Sequence, residues 1–593
     1  MFRSITSTAA ALLASTAFAA APRAPDGFIV YKVGGGADCP YHAIQDAVDA
    51  AAGHPGADFV WIATDQDYAD QHVVVTDQDV IIEGGFADCE DNDPALDQTT
   101  LNGTSGHSVF EIEGTSNVYL GNMVITGAVM DASHSGGGIY FGGQGSLTLY
   151  ADWVFANQAG YGGGIDVSPS GPTTLEIRAS TVSANTALVS GGGIRIEGPT
   201  TLTTPHAAGE YNIYIAQNAA LGQGDVGYGG GVEVLGPAVA NLSAVVDLNS
   251  APYGGGIAAL ASQNGAAAVN LFTTDPGAPV TLYGNVASGS GGGVFLKPHA
   301  DSAHDTKLCA QDFAIDANTA VDGAAIYADK DDSFGSIAFL NSACDPPAGA
   351  VACAAGSACN EMLDNVTQDP SGATVLIQSD GAFSANRFTA RRNTAGNLIY
   401  FFADTVDDSG GNYVHLRDCV IADNTIGGNL IAAGGGAGGT DVSVDTCTIA
   451  NNAMGDLFYV IAVQTNFGEL TNSIVYQPNQ PSVAFFGTAG DFTAGYVLTN
   501  DTIPLTGYDG IVDGVPAFVD AVDGDYHLQR SSPGVDMAPA IDGVDRDGNP
   551  RTLDLFDVPD QWGPLDVGAY EIETQAAGPC SAADTIYCNG FEP

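Results

Sequence analysis

The stretch Val154-Phe155-Ala156-Asn157, with Gly162-Gly163-Gly164-Ile165 shortly after it, contains the two motifs that decide the fold. The first motif is an apolar residue, two variable residues and Asn, and the second is Gly-Gly-Gly followed by Ile or Val. Both motifs recur together in the next segment, as Val182-Ser183-Ala184-Asn185 and Gly191-Gly192-Gly193-Ile194. Two linked motifs that recur at a regular distance predict a repeat protein.

The Asn motif returns along about 300 residues of the chain, at successive spacings of 28, 33, 31, 36, 33, 75, 31 and 28 residues. The 75-residue interval is about two repeats long and contains three cysteines, which predicts an insertion or a degenerate coil there. The asparagines that end the motif are Asn157, Asn185, Asn218, Asn249, Asn285, Asn318, Asn393, Asn424 and Asn452.

The segments between the motifs have the periodicity of β-strands. Residues 146–150 (Ser-Leu-Thr-Leu-Tyr) and 174–177 (Thr-Leu-Glu-Ile) alternate polar and apolar side chains, and helical spacing is missing from the repeats. One short coil cannot bury its apolar face, whereas stacked coils form a continuous core. The sequence therefore predicts an all-β parallel β-helix, a solenoid whose strands pair in parallel about 4.8 Å apart.

The repeated Asn and Gly residues have a structural explanation in such a solenoid. Asn at the same corner of every coil forms a ladder, in which each amide donates to one neighbouring coil and accepts from the other. Gly triplets allow corners with positive φ and a close approach between backbones. A sugar-binding cleft lined by these residues is the alternative, but ladder positions point along the stack, which favours the structural explanation.

The first 100 residues divide into two parts. Arg3, the apolar run at 5–18 and Ala17-Phe18-Ala19 are typical of a signal peptide, which we place at 1–20. Residues 21–100 form an N-terminal cap and the first coils, followed by repeats over 101–500. Within the cap, residues 41–52 have apolar side chains at helical spacing, namely Ile44, Ala47, Val48 and Ala51. This pattern predicts an amphipathic helix that covers the open end of the core.

The chain contains ten cysteines, and an exported protein permits disulfide bonds between them. Four cysteines fall in one stretch, and the sequence does not assign their partners: Cys309, Cys344, Cys353 and Cys359. Zinc is the alternative for these four, although they include no CxxC motif and have no histidine at ligand spacing beside them. The predicted pairs are Cys39 with Cys89, Cys419 with Cys447 at equivalent places in two repeats, and Cys580 with Cys588.

The charge of the chain limits its partners. Lys and Arg total 15 against 69 Asp and Glu, which gives a formal net charge of −54. Such a field repels phosphate backbones, so we expect no nucleic-acid partner. It is compatible with a protein outside the cell and with weak calcium binding. After the predicted signal peptide, no apolar run approaches the ~20 residues that span a bilayer, and we expect a monomer without a membrane segment.

The cap helix together with the Asn and Gly coils resembles right-handed parallel β-helix proteins of bacterial surfaces. The paired motifs are similar to the repeats of polymorphic outer-membrane proteins and related adhesins, over about residues 100–480. The resemblance implies a right-handed solenoid that is secreted or displayed on the outer cell surface. It also implies an extracellular polysaccharide or a cell-surface component as partner.

Four short motifs follow the repeats, in the region 501–575. They are Asp525-Tyr526-His527-Leu528, Ser532-Pro533-Gly534-Val535-Asp536, the run 545–551 (Asp-Arg-Asp-Gly-Asn-Pro-Arg) and Asp566-Val567-Gly568-Ala569-Tyr570-Glu571. The series is similar to the choice-of-anchor Q region, which follows β-helix repeats in exported bacterial proteins and precedes varied surface-sorting signals. The resemblance implies a β-rich C-terminal cap. The tail at 576–593 resembles a short Gly-Phe-Glu tail of exported proteobacterial proteins.

The candidate metal ligands of the chain lie in the third of these motifs and just before it. Asp542, Asp545 and Asp547 alternate with Gly543 and other residues, and short carboxylates at such spacing can wrap Ca²⁺ with oxygen ligands. An ordinary Asp/Gly turn is the alternative explanation. Calcium is the one cofactor that the sequence indicates.

Catalysis is a further possibility, because parallel β-helices often carry carbohydrate-active enzymes. The basic candidates for a lyase are Arg195, Lys297 and Arg391-Arg392, and none sits in a recognisable acid cluster, which predicts solvent-facing coil residues. The catalytic motifs of polygalacturonases are matched neither in their order nor in their residues. Gly106-His107-Ser108 lies far before Asp407-Asp408, and Arg195-Ile196-Glu197 stands in place of Arg-Ile-Lys. Asp331-Asp332 and Asp407-Asp408 are expected in acidic loops.

We therefore assign no catalytic residue from the sequence. The interpretation is a non-catalytic extracellular β-helix used in adhesion, glycan binding or surface structure. A polysaccharide lyase or glycoside hydrolase that acts on an extracellular polysaccharide is the alternative.

Overall fold

Parallel strands make up most of the molecule. The computed structural model describes residues 28–94, 97–207, 209–222, 227–299, 306–329, 336–342, 347–352, 359–378, 382–403, 413–435, 441–454, 459–463, 468–478, 484–487, 492–500, 508–555 and 558–572. The fold is the predicted parallel β-helix, with sheets of 30, 14 and 10 strands that we call sheets A, B and C.

Sheet A contains two columns of strands, which lie on consecutive sides of each coil and are joined where the strands at 468–476 and 492–499 span both columns. The first column is β1 (Val30–Val33), β2 (Asp58–Ala63), β5 (Asp79–Phe86), β8 (Thr115–Gly121), β11 (Gln144–Tyr150), β15 (Thr173–Arg178), β19 (Thr200–Thr204), β23 (Val239–Leu242), β27 (Ala268–Leu271), β31 (Thr306–Ala310), β35 (Ser336–Leu340), β39 (Ala382–Asn386), β43 (Tyr413–Arg417), β47 (Asp441–Asp445), β51 (Gly468–Tyr476), β53 (Phe492–Thr499) and β54 (Asp509–Asp513). The second column is β3 (Tyr68–Gln71), β6 (Thr99–Gly103), β9 (Met123–Thr126), β12 (Trp153–Phe155), β16 (Thr181–Ser183), β20 (Tyr214–Ala216), β24 (Val245–Asp247), β28 (Val280–Tyr283), β32 (Phe313–Asp316), β36 (Glu361–Leu363), β40 (Thr389–Arg391), β44 (Val420–Ala422) and β48 (Thr448–Ala450).

Sheets B and C close the coil. Sheet B is β4 (Val73–Thr76), β7 (Phe110–Glu113), β10 (Ile139–Phe141), β14 (Ile165–Val167), β18 (Ile194–Glu197), β22 (Val232–Leu235), β26 (Ile257–Leu260), β30 (Val294–Lys297), β34 (Ile326–Ala328), β38 (Ala373–Gln378), β42 (Asn397–Ala403), β46 (Ile431–Gly435), β50 (Tyr459–Val463) and β52 (Ala484–Gly487). Sheet C is β13 (Gln158–Tyr161), β17 (Thr186–Ser190), β21 (Ala219–Ala220), β25 (Ser250–Ala251), β29 (Val286–Ala287), β33 (Thr319–Ala320), β37 (Val366–Thr367), β41 (Thr394–Ala395), β45 (Thr425–Ile426) and β49 (Ala453–Met454). A short antiparallel pair, β55 (Phe518–Asp520) and β56 (Asp525–Leu528), follows the coils.

The alternating sequence pattern decides which side chains face inward. Leu147, Leu175 and Leu202 lie in register on three consecutive strands of sheet A, and all three are fully buried. Stacked apolar side chains of this kind run through most of the described coils as one core. The polar residues between them face outward, as period-two alternation requires.

The predicted asparagine ladder is confirmed. Asn249, which is fully buried, accepts hydrogen bonds from the backbone N–H and the side-chain amide of Asn218, at 2.9 and 3.0 Å. Its own amide nitrogen donates to the Ile215 carbonyl at 2.8 Å and to Asn285 Oδ1 at 3.0 Å. The same contacts repeat from Asn157 to Asn452, so each ladder residue joins its coil to both neighbours.

The ladder contains residues that the sequence analysis did not count. Asn365 forms the rung between Asn318 and Asn393, inside the 75-residue interval. It ends Met362-Leu363-Asp364-Asn365, which fits the Asn motif and was hidden by the 47-residue distance from Asn318. After Asn452, Gln477 and Asn500 continue the backbone contacts of the ladder.

A left-handed residue precedes each ladder asparagine. Non-glycine residues at this position, among them Ala156, Ala184 and Leu248, have φ between 53° and 58°. This conformation costs roughly 1–2 kcal/mol for a residue with a Cβ atom. The hydrogen bonds of the following asparagine offset the cost, because they hold the corner in the one geometry that allows the ladder.

The N-terminal cap and the disulfide bonds follow the sequence. Helix α1 (Ile44–Ala52) buries the four predicted apolar residues and packs against the first strands. The predicted bonds Cys39–Cys89 and Cys419–Cys447 are confirmed. Cys309 and Cys359 are each disulfide-bonded as well, which overturns the zinc alternative for them. The predicted signal peptide, the predicted Cys580–Cys588 pair and the tail at 576–593 lie outside the described residues, as do Cys344 and Cys353.

The region after β54 folds back along the side of the solenoid. The Tyr526 hydroxyl donates to Asp423 at 2.9 Å, and the fully buried Arg551 donates to Asp418 at 2.7 Å. The Ala569 backbone N–H donates to the Thr448 hydroxyl at 3.0 Å. We call this part, residues 514–555 and 558–572, the C-terminal strap, because it lies across the second column of sheet A.

Small side chains on sheet A make room for the C-terminal strap. Val420, Ala422 and Ala450 are buried and pack against Tyr526 and Ala569 of the strap. These strands are therefore apolar on both faces, which explains why the alternating pattern is lost in this part of the chain.

Replacing Asn249 with Ala tests the ladder. The change leaves the Asn218 backbone N–H and the Ile215 carbonyl without partners inside the core, and we expect a loss of about 2–4 kcal/mol in the free energy of unfolding. Asn264→Ala, at an exposed loop position, is the matched control and should change stability by less than about 0.5 kcal/mol. Urea denaturation with hydrogen exchange measures both, and equal midpoints for the two variants would contradict a stabilising ladder.

Candidate functional site

The outer face of sheet B carries acidic, basic and aromatic side chains. From β4 to β46, one residue of each strand of sheet B points away from the core, and parallel register stacks these residues in one column. In order along the solenoid, the column is Val74, Glu111, Tyr140, Asp166, Arg195, Glu233, Ala258, Phe295, Tyr327, Leu376, Tyr400 and Ala432. It changes from polar at the N-terminal end to aromatic farther along.

The N-terminal part of this face is a histidine cleft. His72 contacts Glu111 through Nε2 at 2.8 Å, and its ring stacks on that of His107 with centroids 4.4 Å apart. The cleft has a volume of about 270 Å³ and is also lined by His134 and Tyr140. Glu111 and the histidine rings provide proton donors and acceptors that are accessible from solvent.

The middle part is a buried ion cluster around Arg195. The guanidinium donates to Asp166 Oδ1 at 3.0 Å, and its Nε lies 3.4 Å from Glu233 Oε2. It also contacts Glu197 and lies over the Tyr161 ring, 5.1 Å from the centroid. Asp166 is fully buried, and only 13% of the Arg195 side chain is exposed.

Burial controls the ionisation of this cluster. Desolvation raises the pKa of Glu233 to about 7, although the Arg195 charge acts to lower it. Desolvation likewise raises the pKa of Asp166 against the pull of Arg195. One cation thus faces more carboxyl groups than it can neutralise, and the cluster keeps a proton near neutral pH.

The placement of Arg195 corrects the expectation from the sequence. Arg195 was expected to be a solvent-facing coil residue away from any acid cluster, and this is wrong. Its acidic neighbours Asp166 and Glu233 lie 29 and 38 residues away in the chain, and only the strand register brings them beside it.

The other basic candidates for catalysis do not join the ion cluster. Lys297 lies 3.8 Å from Asp329, and Arg392 forms an exposed pair with Asp364. Arg391 is also not a free solvent-facing residue, because it pairs with Asp423 at 2.6 Å and lies over Tyr526 of the C-terminal strap. Asp331-Asp332 and Asp407-Asp408 lie outside the described residues.

Farther along, the outer face of sheet B becomes aromatic. Phe295 is buried beneath Tyr228, Tyr253 and Tyr327, with ring centroids 5.2–5.7 Å apart. The three tyrosines are half-buried, so one face of each ring packs while the rest contacts solvent. The half-buried Tyr400 extends the aromatic surface, and we call these four tyrosines with Phe295 the aromatic face.

The predicted calcium ligands do not converge. Asp545 is fully buried, and its carboxylate accepts the backbone N–H groups of Asp547, Asn549 and Glu571 at 2.7–2.9 Å. Asp547 pairs instead with His527 at 2.8 Å, while the Asp542 side chain is exposed. The motif therefore forms a turn around Asp545, because backbone donors already occupy the carboxylate that a cation needs.

Comparisons with known proteins give no family for this chain. No protein-family model matches it, and no curated protein is significantly similar to it in sequence. Within the described residues, no helix has the length and apolarity needed to cross a membrane.

Replacing Arg195 with Leu tests the ion cluster. Asp166 and Glu233 then lose their counter-charge, and we expect the variant to lose about 3–5 kcal/mol in the free energy of unfolding at pH 8. A carboxyl whose pKa is raised on folding stabilises the native state at acid pH and loses this effect as the pH rises. In the wild type, the stabilising contribution of Glu233 is lost as the pH rises from the unfolded pKa of this carboxyl to about 7. In the variant, the Arg195 charge no longer lowers the pKa of Glu233, so the loss extends to higher pH.

The stability deficit of Arg195→Leu should therefore be smaller at pH 5 than at pH 8. Denaturant titrations at both pH values measure it. Arg392→Leu, which removes an exposed pair with Asp364, is the control and should cost less than about 1 kcal/mol at either pH. A deficit for Arg195→Leu that does not change with pH would contradict the raised carboxyl pKa values.

Proposed function

We propose that the protein is a secreted or surface-displayed, non-catalytic β-helix that binds a neutral polysaccharide along the outer face of sheet B. The observation that carries the proposal is the aromatic face, in which half-buried tyrosines surround Phe295 on adjacent coils. Aromatic side chains with one polar end are favoured at binding surfaces, because they offer large contact areas and lose little conformational entropy.

The arrangement of the aromatic face suits an extended ligand. Successive coils place their strands about 4.8 Å apart, and the rings of Phe295 and Tyr327 stack with centroids 5.5 Å apart. A polymer that runs along the solenoid axis can therefore contact several coils in succession. A row of weak contacts of this kind gains affinity from repetition.

The net charge favours a neutral polymer over an acidic one. A formal charge of −54 repels polyuronates and sulfated chains unless a cation bridges them to the protein. Neutral glycans avoid this repulsion and can still form hydrogen bonds with tyrosine hydroxyl groups.

Export of the protein is supported by two features. Residues 1–20 have the signal-peptide pattern, and Cys39–Cys89 and Cys419–Cys447 are disulfide bonds of the type that persists in oxidising compartments. The resemblance to bacterial surface proteins with choice-of-anchor Q regions agrees with this location. A polysaccharide or another cell-surface component is the corresponding partner.

A polysaccharide lyase or hydrolase is the second candidate. The observation in its favour is the ion cluster, where Glu233 has a pKa of about 7 beside Arg195 and Glu197, the combination that acid–base chemistry uses. The burial of Asp166 and Glu233 argues against it, since a substrate needs access to the reacting groups. We therefore retain binding as the function, with turnover as the alternative outcome of the test.

Replacing Tyr253 with Ala tests the aromatic face. We expect its affinity for the best-bound neutral polysaccharide to fall on the order of tenfold, as the loss of an aromatic anchor worth about 1.4 kcal/mol implies. Tyr283→Ala is the control, because Tyr283 is exposed on sheet A, away from this face. Affinity electrophoresis against neutral and acidic polysaccharides measures binding, and thermal melts establish that both variants fold.

The same samples distinguish binding from catalysis. Released oligosaccharides are measured by reducing-end assay and by absorbance of unsaturated products. Equal weakening by Tyr253→Ala and Tyr283→Ala would contradict a site on the outer face of sheet B. Polymer cleavage that disappears in Glu233→Gln, while the fold is retained, would replace the binding proposal with an enzyme.

A further inference from the structure

Three carboxylates of the C-terminal strap converge at a place that the sequence did not indicate. Oxygen atoms of Asp536, Asp554 and Asp560 all lie within 4.8 Å of one another. Within the described part of the chain, this is the one group of three His, Cys, Asp or Glu side chains so arranged. Asp536 ends the Ser-Pro-Gly-Val-Asp motif, and the other two come from the loop that follows Arg551.

The Asp536 carboxylate is buried and lacks hydrogen bonds. The residue has no exposed surface, and neither Oδ1 nor Oδ2 has a hydrogen-bond partner. The Leu555 backbone amide acts to lower the pKa of Asp536, but it does not reach hydrogen-bond geometry. A buried carboxylate without partners is costly, so its persistence points to a ligand that supplies the missing interactions.

Two other buried carboxylates of the strap, unlike that of Asp536, have hydrogen-bond partners. Asp566 accepts the backbone N–H of Asp536 at one oxygen and that of Ile572 at the other, both at 2.8 Å. Asp545 likewise accepts several N–H groups. The strap thus satisfies these buried carboxylates with protein donors and leaves Asp536 without them, facing two further acids.

The backbone holds Asp536 in this position. The Asp536 backbone N–H donates to Asp566 Oδ1, and the Asp536 carbonyl accepts a hydrogen bond from the Gln561 backbone N–H at 2.9 Å. The Gln561 side chain donates to the Pro533 carbonyl at 2.9 Å, which fastens the loop containing Asp554 and Asp560 to the turn containing Asp536. The carboxylates are therefore held together by contacts that do not involve the carboxylates themselves.

The charges of the cluster are uncompensated. No ion pair to Asp536, Asp554 or Asp560 is present among the described residues. The Asp536 carboxylate thus faces the like charges of Asp554, Asp560 and Asp566 with no cationic partner in the described part of the chain. A cation at the centre of the three carboxylates removes this repulsion.

We propose that Asp536, Asp554 and Asp560 bind one divalent cation of the Ca²⁺ type. Carboxylate oxygens are the ligands of hard cations, and Ca²⁺ accepts six to eight oxygens in flexible geometry. Asp554 and Asp560 are exposed, so water can complete the coordination on their side. The ion links the turn at 532–536 to Asp554 and Asp560 and stabilises the C-terminal strap against the solenoid. This site is independent of the polysaccharide proposal.

The test uses the full-length protein after dialysis against EDTA. Calorimetric titration with CaCl₂ at constant ionic strength should give one site, and Asp554→Asn, Asp560→Asn should weaken binding at least tenfold. Calcium should raise the melting temperature of the wild type and not that of the variant. Without calcium, the variant should melt at or above the wild-type temperature, because two repelling charges are removed; this also establishes that it folds.

A charge-matched double variant controls for the large negative field. Asp513→Asn, Asp523→Asn removes two exposed acids near the same region and should keep the calcium response. Asp542→Asn tests the sequence-derived loop and should keep it too. An unchanged calcium response in Asp554→Asn, Asp560→Asn, or a wild-type response equalled by ionic-strength-matched NaCl, overturns the site. Tighter binding of MgCl₂ than of CaCl₂ overturns the assignment to Ca²⁺.

Discussion

The hydrogen bonds between stacked asparagine side chains are the interaction on which the structure depends. Each buried amide connects its own coil to the coils on both sides, and each would leave several polar groups unpaired if the coil slipped. Because strand side chains alternate with period two, a slip of one residue would also turn the apolar side chains outward. The ladder thus fixes the register of every described coil from Asn157 to Asn452, and it permits the left-handed corner that precedes each asparagine.

The register set by the ladder also assembles the outer face of sheet B. Asp166, Arg195 and Glu233 are distant in sequence and become neighbours because three coils stack without offset. The same stacking places Phe295 beside Tyr327. Loops between the strands can vary in length without disturbing this face, as the 47-residue distance between Asn318 and Asn365 demonstrates. A solenoid of this kind separates the scaffold from the side chains that its outer face presents.

Sequence reasoning succeeded wherever a feature repeats or lies within one segment. The ladder, helix α1 and the Cys39–Cys89 and Cys419–Cys447 bonds follow from periodicity and from equivalent positions in repeats. It failed for Arg195, whose partners are set by register. It could not choose between a calcium site and a turn at Asp545, because carboxylate spacing does not reveal which backbone N–H groups take up the oxygens. Asp536 and Asp554 are separated by 18 residues and have no shared motif, so only the folded strap brings them together.

The C-terminal motifs are explained by docking onto the solenoid. Arg551 is fully buried between Asp418 of the coils and Glu571 of the strap, a place where an unpaired charge would be very costly. Desolvation and the charge of Asp566 raise the pKa of Glu571 to about 9 although the Arg551 charge acts to lower it, so folding favours a proton on this carboxyl. Because the folded state holds this proton more tightly than the unfolded chain, the contribution of Glu571 to docking weakens as the pH rises from its unfolded pKa towards 9. The strap is therefore a part of the β-helix fold that depends on the coils beneath it.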